Sequence, residues 1–352
     1  MRNFAVLLII IVVSGLLLGA CNNSDQANRT TSELIRTQLT SDNNPPADTL
    51  TPEATPTSVP LPTQTPQPTD IPIIPTMTPT LEPTLTETEP ITGSTRISEK
   101  DQMEQVFVPA GDFIMGTDDP DAKRTIEGGR AYPEIHAHTV YLDGYWIDKY
   151  EVTNGQYALC VEAGVCKPPF NPTSENYPKY WDNPEYANYP VIWINWYMSK
   201  AYCEWAGRRQ PTEAEWEKAA RGTDGRKYPW GNDPISGERA NFCDITCTRN
   251  IANGKYDDGY AGTAPVGSYP AGASPYGAMD MSGNVWEWNG TLIMPYPYDP
   301  NDGRENPDVL GERSWRGGPY SNGIWWMRSS VRYRSVQSYW WMNLGFRCAA
   351  SQ

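Results

Sequence analysis

Pro190–Gly222 reads PVIWINWYMSKAYCEWAGRRQPTEAEWEKAARG, two short helices set one after the other. Asn195 stands where an N-cap is needed ahead of WYMSKAYCEW, and Gly207 stops that run. Thr212, with Glu215 three residues on, is a capping box, and Gly222 closes the second run. Ala201, Cys203 and Trp205 fall on or near the inward side of the first helix. Trp216, Ala219 and Ala220 are spaced as one buried stripe on the second. Upstream, Thr153 and Gln156 form another capping box for TNGQYALCVEAG, which ends at Gly164.

Short alternating stretches surround these helices: QVFVPAGDFIMG from Gln105, HTVYLDGYWIDKYEV from His138, WRGGPY from Trp315 and GFRCA from Gly345. They predict strands. Most of what remains is loop, dense in Gly, Pro, Asn and Asp but carrying Trp and Tyr throughout. Long loops of that composition are expected to be ordered and packed on themselves. The class is α+β with little regular structure.

The aromatic residues mark the limits of this folded part. Phe4 is the only one before Phe107. Residues 22–100 instead repeat Thr and Pro, as in TPEATPTSVPLPTQTPQPTD, with too little apolar surface to offset the entropy of ordering. We expect a disordered stalk there, extended enough to hold residues 101–352 up to roughly 200 Å from its origin. MRNFAVLLIIIVVSGLLLGAC has the form of a signal peptide, and Leu18–Cys21 resembles a bacterial lipobox. That resemblance implies lipidation at Cys21 and a protein lipid-anchored to the bacterial membrane or cell surface, outside the cytoplasm. An uncleaved anchor helix is the alternative.

The net charge is −14, of which the part after residue 100 carries −9. Nucleic acid is not an expected partner, since its binding needs a basic footprint. Cation binding is compatible. Of seven cysteines, Cys21 is assigned to lipid and six remain. An even set in an exported domain reads as disulfides. Cys160 with Cys166 and Cys243 with Cys247 are near enough in sequence to form small loops, which leaves Cys203 and Cys348 to each other; 15 pairings are formally open. Zinc is disfavoured, because His136 and His138 are the only histidines and no paired CxxC exists.

FIMGTDD, YWIDKYEVTNGQY, the helical stretch above, YPWGN, GTAPVGSYPAGASPYGAMDMSGNVWEW, RSWRGGPYS and NLGFRCA follow in order over about residues 104–350. Together they resemble the formylglycine-generating enzyme, or sulfatase-modifying factor, family. The resemblance implies a compact, loop-rich variant of the C-type-lectin fold, and a Cys203–Cys348 disulfide. Active members oxidise a cysteine of an unfolded sulfatase with oxygen and copper held by two thiolates, ligands suited to soft Cu(I). Their pattern is Gly-Gly-Ser-Tyr-x-Cys, then Cys-x-Arg-Tyr-Arg. Here Gly317, Gly318 and Tyr320 are kept, Pro319 replaces the Ser, and Asn322 and Ser330 occupy the two cysteine positions in a segment about three residues longer. No catalytic residue is assigned, and copper is not an expected cofactor.

The same resemblance implies a ligand groove flanked by Tyr320, Ser321, Asn322, Trp325, Trp326, Arg332, Arg334, Tyr339, Trp340 and Trp341. Alternation along an extended chain would turn one of Trp325/Trp326 and one of Trp340/Trp341 outward. It also implies two calcium sites, one at Asn241, Phe242, Asp258 and Tyr260 and one at Asp280, Gly283, Val285 and Glu287. Both mix carboxylates with carbonyl-only residues, as calcium does. The expected function is binding of a protein, peptide or glycan ligand without copper chemistry. The alternative is an oxidase or related enzyme acting on an exported protein or a small molecule.

Overall fold

The computed structural model describes residues 89–120, 122 and 133–352. The expected signal peptide, Cys21 and all of the stalk before residue 89 lie outside the described residues. The folded part begins earlier than residue 101, because β1 (Thr95–Ile97) pairs antiparallel with β2 (Glu104–Val108). β2 pairs in turn with β5 (Tyr145–Asp148), and β5 with β10 (Ala349–Ser351), so the first and last strands of the described residues join one antiparallel sheet. β3 (Gly111–Met115) and β4 (His138–Leu142) form a separate hairpin ladder.

The third sheet is ordered β8 (Tyr333–Val336), β7 (Glu312–Arg316), β6 (Trp286–Leu292), β9 (Leu344–Phe346), with β6 and β9 parallel. The expected strand WRGGPY stops at Arg316, because Gly317 and Gly318 take φ of +98° and +72°. β6, one of the two inner strands, was not evident in the sequence. WEWNGTL is buried on both faces over its first four residues, so it shows no alternation to recognise.

Helices α1 (Asn154–Glu162), α2 (Trp196–Trp205) and α3 (Glu213–Arg221) start at Thr153, Asn195 and Thr212. Both expected capping boxes form, with Gln156 and Glu215 reaching back to the cap backbone. The inward face of α2 is Trp196, Met198, Ser199, Tyr202 and Cys203; Ala201 and Trp205 are only half-buried. α3 is buried on every side, Glu213, Glu217, Lys218 and Arg221 included, because it packs against β3, β4, β6 and β7. All three expected disulfides form, and Cys203–Cys348 lies in the main core with Tyr157, Trp196, Trp286, Trp288, Trp315 and Phe346.

That packing places charges inside, where each needs a partner. Arg316 pairs with Glu217, Arg332 with Glu213 and Arg347 with Glu287, all fully buried. Among the described residues no cation forms an ion pair with Glu305. Its carboxyl receives Thr291 Oγ1 and Tyr298 Oη at 2.8 Å, and burial pushes its pKa up to about 7. A carboxyl whose folded pKa is raised stabilises the fold most at low pH and loses that contribution as pH rises through about 7. Glu305→Gln should therefore melt at a higher temperature than the unsubstituted chain at pH 8, with the gap closing by pH 5. Equal gaps at the two pH values would contradict the assignment.

Candidate functional site

The site is built where β7 ends. Gly318 turns the chain so closely under a 3-10 turn, Ile324–Trp326, that a Cβ there would come 2.5 Å from the Trp326 carbonyl oxygen. The Asn322 backbone bridges two segments: its N–H donates to Pro319 O, and its carbonyl accepts from Cys243 N–H at 3.0 Å. This sets Ile251–Gly254 opposite Gly323–Trp326 across a cavity of about 310 Å³. Trp325 is exposed at its rim, while Trp326 is half-buried against Trp286 and Tyr333.

Ser330 is buried. Its hydroxyl donates to Glu134 Oε2 at 2.5 Å, and the same carboxylate pairs with Arg328. Arg316 donates to the Ser330 and Val331 carbonyls at 2.8 Å. The Ser330 side chain is thus committed to a hydrogen bond, while Asn322 is held through its backbone. Glu134 and Arg328 were not foreseen, since Glu134 lies 196 residues before Ser330 and no local pattern marks it.

Other expected groove residues divide. Tyr320 and Ser321 are buried, and Arg332 is interior, held by Glu213 through Nε and Nη2. These three do not line an open surface. Arg334 meets Glu312 on the neighbouring strand at 2.7 Å. Tyr339 is half-buried, and Trp340 and Trp341 are both exposed. The outward alternation expected of the last pair fails because neither lies in a strand, and Trp325 and Trp326 belong to a 3-10 turn.

At the first expected calcium set, Asn241 Oδ1 is buried without a hydrogen-bond partner. Asp258 accepts the Phe242 and Tyr260 N–H groups, and burial, with Asp244 and Asp257 nearby, pushes its pKa up to about 7. An orphaned amide oxygen, one residue before the N–H that Asp258 accepts, and a carboxylate whose ionisation burial opposes are donors of the kind a hard cation takes. The second set fits less well. Glu287 commits both oxygens to Arg347 and also receives Trp216 Nε1. Asp280 keeps a carboxylate bonded to Gly267 N–H, and Glu151, which was not foreseen, is the nearby acid. Among the described residues no three His, Cys, Asp or Glu side chains converge as a ready metal cage, so calcium here would depend on amide and carbonyl oxygens.

A family model described as the sulfatase-modifying factor enzyme 1-like domain matches residues 93–352. The chain belongs to the sulfatase-modifying factor enzyme 1-like family. It is 34% identical to a formylglycine-generating enzyme of Streptomyces coelicolor, covering 70% of this chain and 88% of that protein. It is 30% identical to the inactive C-alpha-formylglycine-generating enzyme 2 of Mus musculus, over 70% and 85%. The fold is similar to the structure of PvdO from Pseudomonas aeruginosa, with TM-score 0.60, 28% identity, 75% of this chain and all of that one covered.

For a sulfatase-modifying factor domain, the cysteines bear on the chemistry. All six among the described residues are disulfide-bonded. His138, the other soft-metal candidate, receives Tyr298 N–H on Nε2 and lies 2.9 Å from the His136 carbonyl through Nδ1. An amide at Asn322 and a hydroxyl at Ser330 are poor ligands for Cu(I), so the residues present do not fit a dithiolate copper site.

Proposed function

We propose that this chain is an extracytoplasmic protein, lipid-anchored through Cys21, whose sulfatase-modifying factor domain binds a ligand beside Asn322 and performs no copper oxidation. The observation that carries it is the pairing of all six described cysteines in disulfides; by resemblance to the family pattern, Asn322 and Ser330 stand where its copper thiolates would. Similarity alone does not choose, since relatives named as active and as inactive match at 34% and 30% identity. The cavity with Trp325 at its rim supports binding, because an aromatic anchor beside a concave surface is a usual source of affinity.

A second reading, an enzyme of different chemistry, is favoured by one feature: the buried Ser330 hydroxyl on Glu134, next to Arg328. Incubation with a sulfatase-type cysteine peptide, oxygen and Cu(I), followed by mass spectrometry, tests the proposal. We expect the peptide to return unchanged and Cu(I) to be lost to a competing chelator. Aldehyde formation would refute it.

Calcium is part of the same proposal, at the Asn241–Asp258 set. An ion bound only to the native state stabilises by mass action. Chelation should lower the melting temperature of the full chain, and Asp258→Asn should remove most of that response. A melting curve indifferent to both chelator and added calcium would sink this site.

A further inference from the structure

Phe170, Trp193, Tyr339, Trp340 and Trp341 come from three separate stretches of chain, yet their rings form one surface. Phe170 stacks on Trp340 with centroids 5.2 Å apart and planes 22° from parallel. Trp193 touches Trp340 and Trp341 at 5.5 and 6.5 Å, and Tyr339 stacks on Trp341 at 5.8 Å and 16°. Hydrogen bonds pin the stretches together: Phe170 N–H to Trp193 O at 3.2 Å, Trp193 N–H to Trp341 O at 3.1 Å, and Trp193 Nε1 to Thr173 O at 2.6 Å. Trp193 holds φ at +61°, a left-handed conformation that a bulky side chain adopts only where its surroundings impose it.

Rings of this size ordinarily seek the core. Here Phe170 is 52% exposed, Trp340 39% and Trp341 41%, although the backbone around them is tightly bonded. Rigid support under exposed aromatic faces is preorganisation for a ligand, since the ordering cost is met before binding.

We propose that this platform binds a neutral polysaccharide, with successive sugar rings lying on the aromatic faces. A pyranose whose hydroxyls are equatorial presents a flat face of C–H bonds. Those weakly positive hydrogens match the negative face of an aromatic ring. Phe170 stacks on Trp340 and Tyr339 on Trp341, so each pair has only its outer ring faces to offer a sugar, and Trp193 bridges the two pairs at 5.5 and 6.5 Å. No platform side chain is charged, and the part of the chain after residue 100 carries −9. Single-stranded nucleic acid, which also stacks on aromatic rings, needs a cationic groove, and an anionic glycan would meet repulsion. Asn171, next in sequence to Phe170, spends its Oδ1 on Thr173, and among the described residues its amide N–H groups donate no hydrogen bond. The proposal does not rest on the Asn322 cavity, with which the platform shares no residue.

The test is tryptophan-fluorescence titration of the full chain with cellohexaose and chitohexaose, beside a decaproline peptide. We expect saturable binding of at least one neutral hexasaccharide, weakened at least tenfold by Trp340→Leu and by Phe170→Ala. Trp340→Phe, which keeps a ring, should retain binding. Melting curves must show each variant folded; if Phe170→Ala is not, Phe170→Leu replaces it. Absence of saturable sugar binding, or binding that survives Phe170→Ala with Trp340→Leu, would overturn the proposal, as would tighter binding of decaproline at the same residues. Trp325→Ala reports separately on the Asn322 cavity; loss of sugar there with the platform variants unaffected would also overturn it.

Discussion

Arg347→Met should cost the domain about 3–5 kcal/mol at pH 7, the usual effect of removing one partner from a buried ion pair. Domains are typically stable by only about 5–15 kcal/mol, so the variant should be largely unfolded or recovered in low yield. Arg347 lies between β9 and β10 with no exposure. Its guanidinium grips Glu287 with two bonds of 2.7 and 2.8 Å and donates to the carbonyls of Asp148, Lys149 and Met279. Its charge also acts on Glu151 and Asp280. Burial, with the charges of Asp280 and Glu287, raises the Glu151 carboxyl well above its usual range; burial, with Glu287, raises Asp280 to about 6; Arg347 opposes both shifts. Removing it leaves Glu287 unpaired and strengthens the repulsion among all three acids.

The sign with pH follows. Without Arg347 the folded-state pKa values of Glu151 and Asp280 rise further, so the variant should regain stability as pH falls from 8 towards 5. Adding Glu287→Gln should recover part of the loss, because the orphaned charge is gone. Denaturant melts of the single and double variants at both pH values check this. An Arg347→Met protein as stable as its parent at pH 8 would show that Glu287 is not held as described.

How much of this could be read beforehand depends on how local the determinant is. The three helix starts were legible because an N-cap and its N3 partner lie three residues apart, as Thr212 and Glu215 do. Turn glycines were legible for the same reason. β6 was not, because burial on both faces of WEWNGTL erases the alternation that marks a strand. The interior ion pairs were invisible, since Glu213 and Arg332 are 119 residues apart and each looks like a surface charge in its own segment. Asn322 and Ser330 were singled out only by resemblance to a family pattern. What replaces the thiols, the bond from Ser330 to Glu134, required the fold, and so did the aromatic platform, whose rings Phe170, Trp193 and Trp340 share no spacing.

Removing the Cys203–Cys348 disulfide should have the other large effect. The two cysteines are 145 residues apart, joining α2 to the turn between β9 and β10. In the chain-entropy account, cross-linking a loop of that length restricts the unfolded ensemble by about 5 kcal/mol. The Cys243–Cys247 link closes a separation of only 4, worth about 2 kcal/mol by the same relation. The longer bond is also fully buried beside Tyr202 and Phe346, so little of it is relieved by local rearrangement. Cys203→Ala with Cys348→Ala should therefore lower the melting temperature by about 10–20 °C, about 2.5-fold more than Cys243→Ala with Cys247→Ala. Arg347 and Cys348 are adjacent, so the bond also keeps the Arg347 guanidinium over Glu287. The double cysteine variant should then show Arg347→Met costing less than it does in the parent, since part of the pairing is already lost. Equal costs in the two backgrounds, or equal melting shifts for the two disulfides, would contradict this account of how the last strand is held.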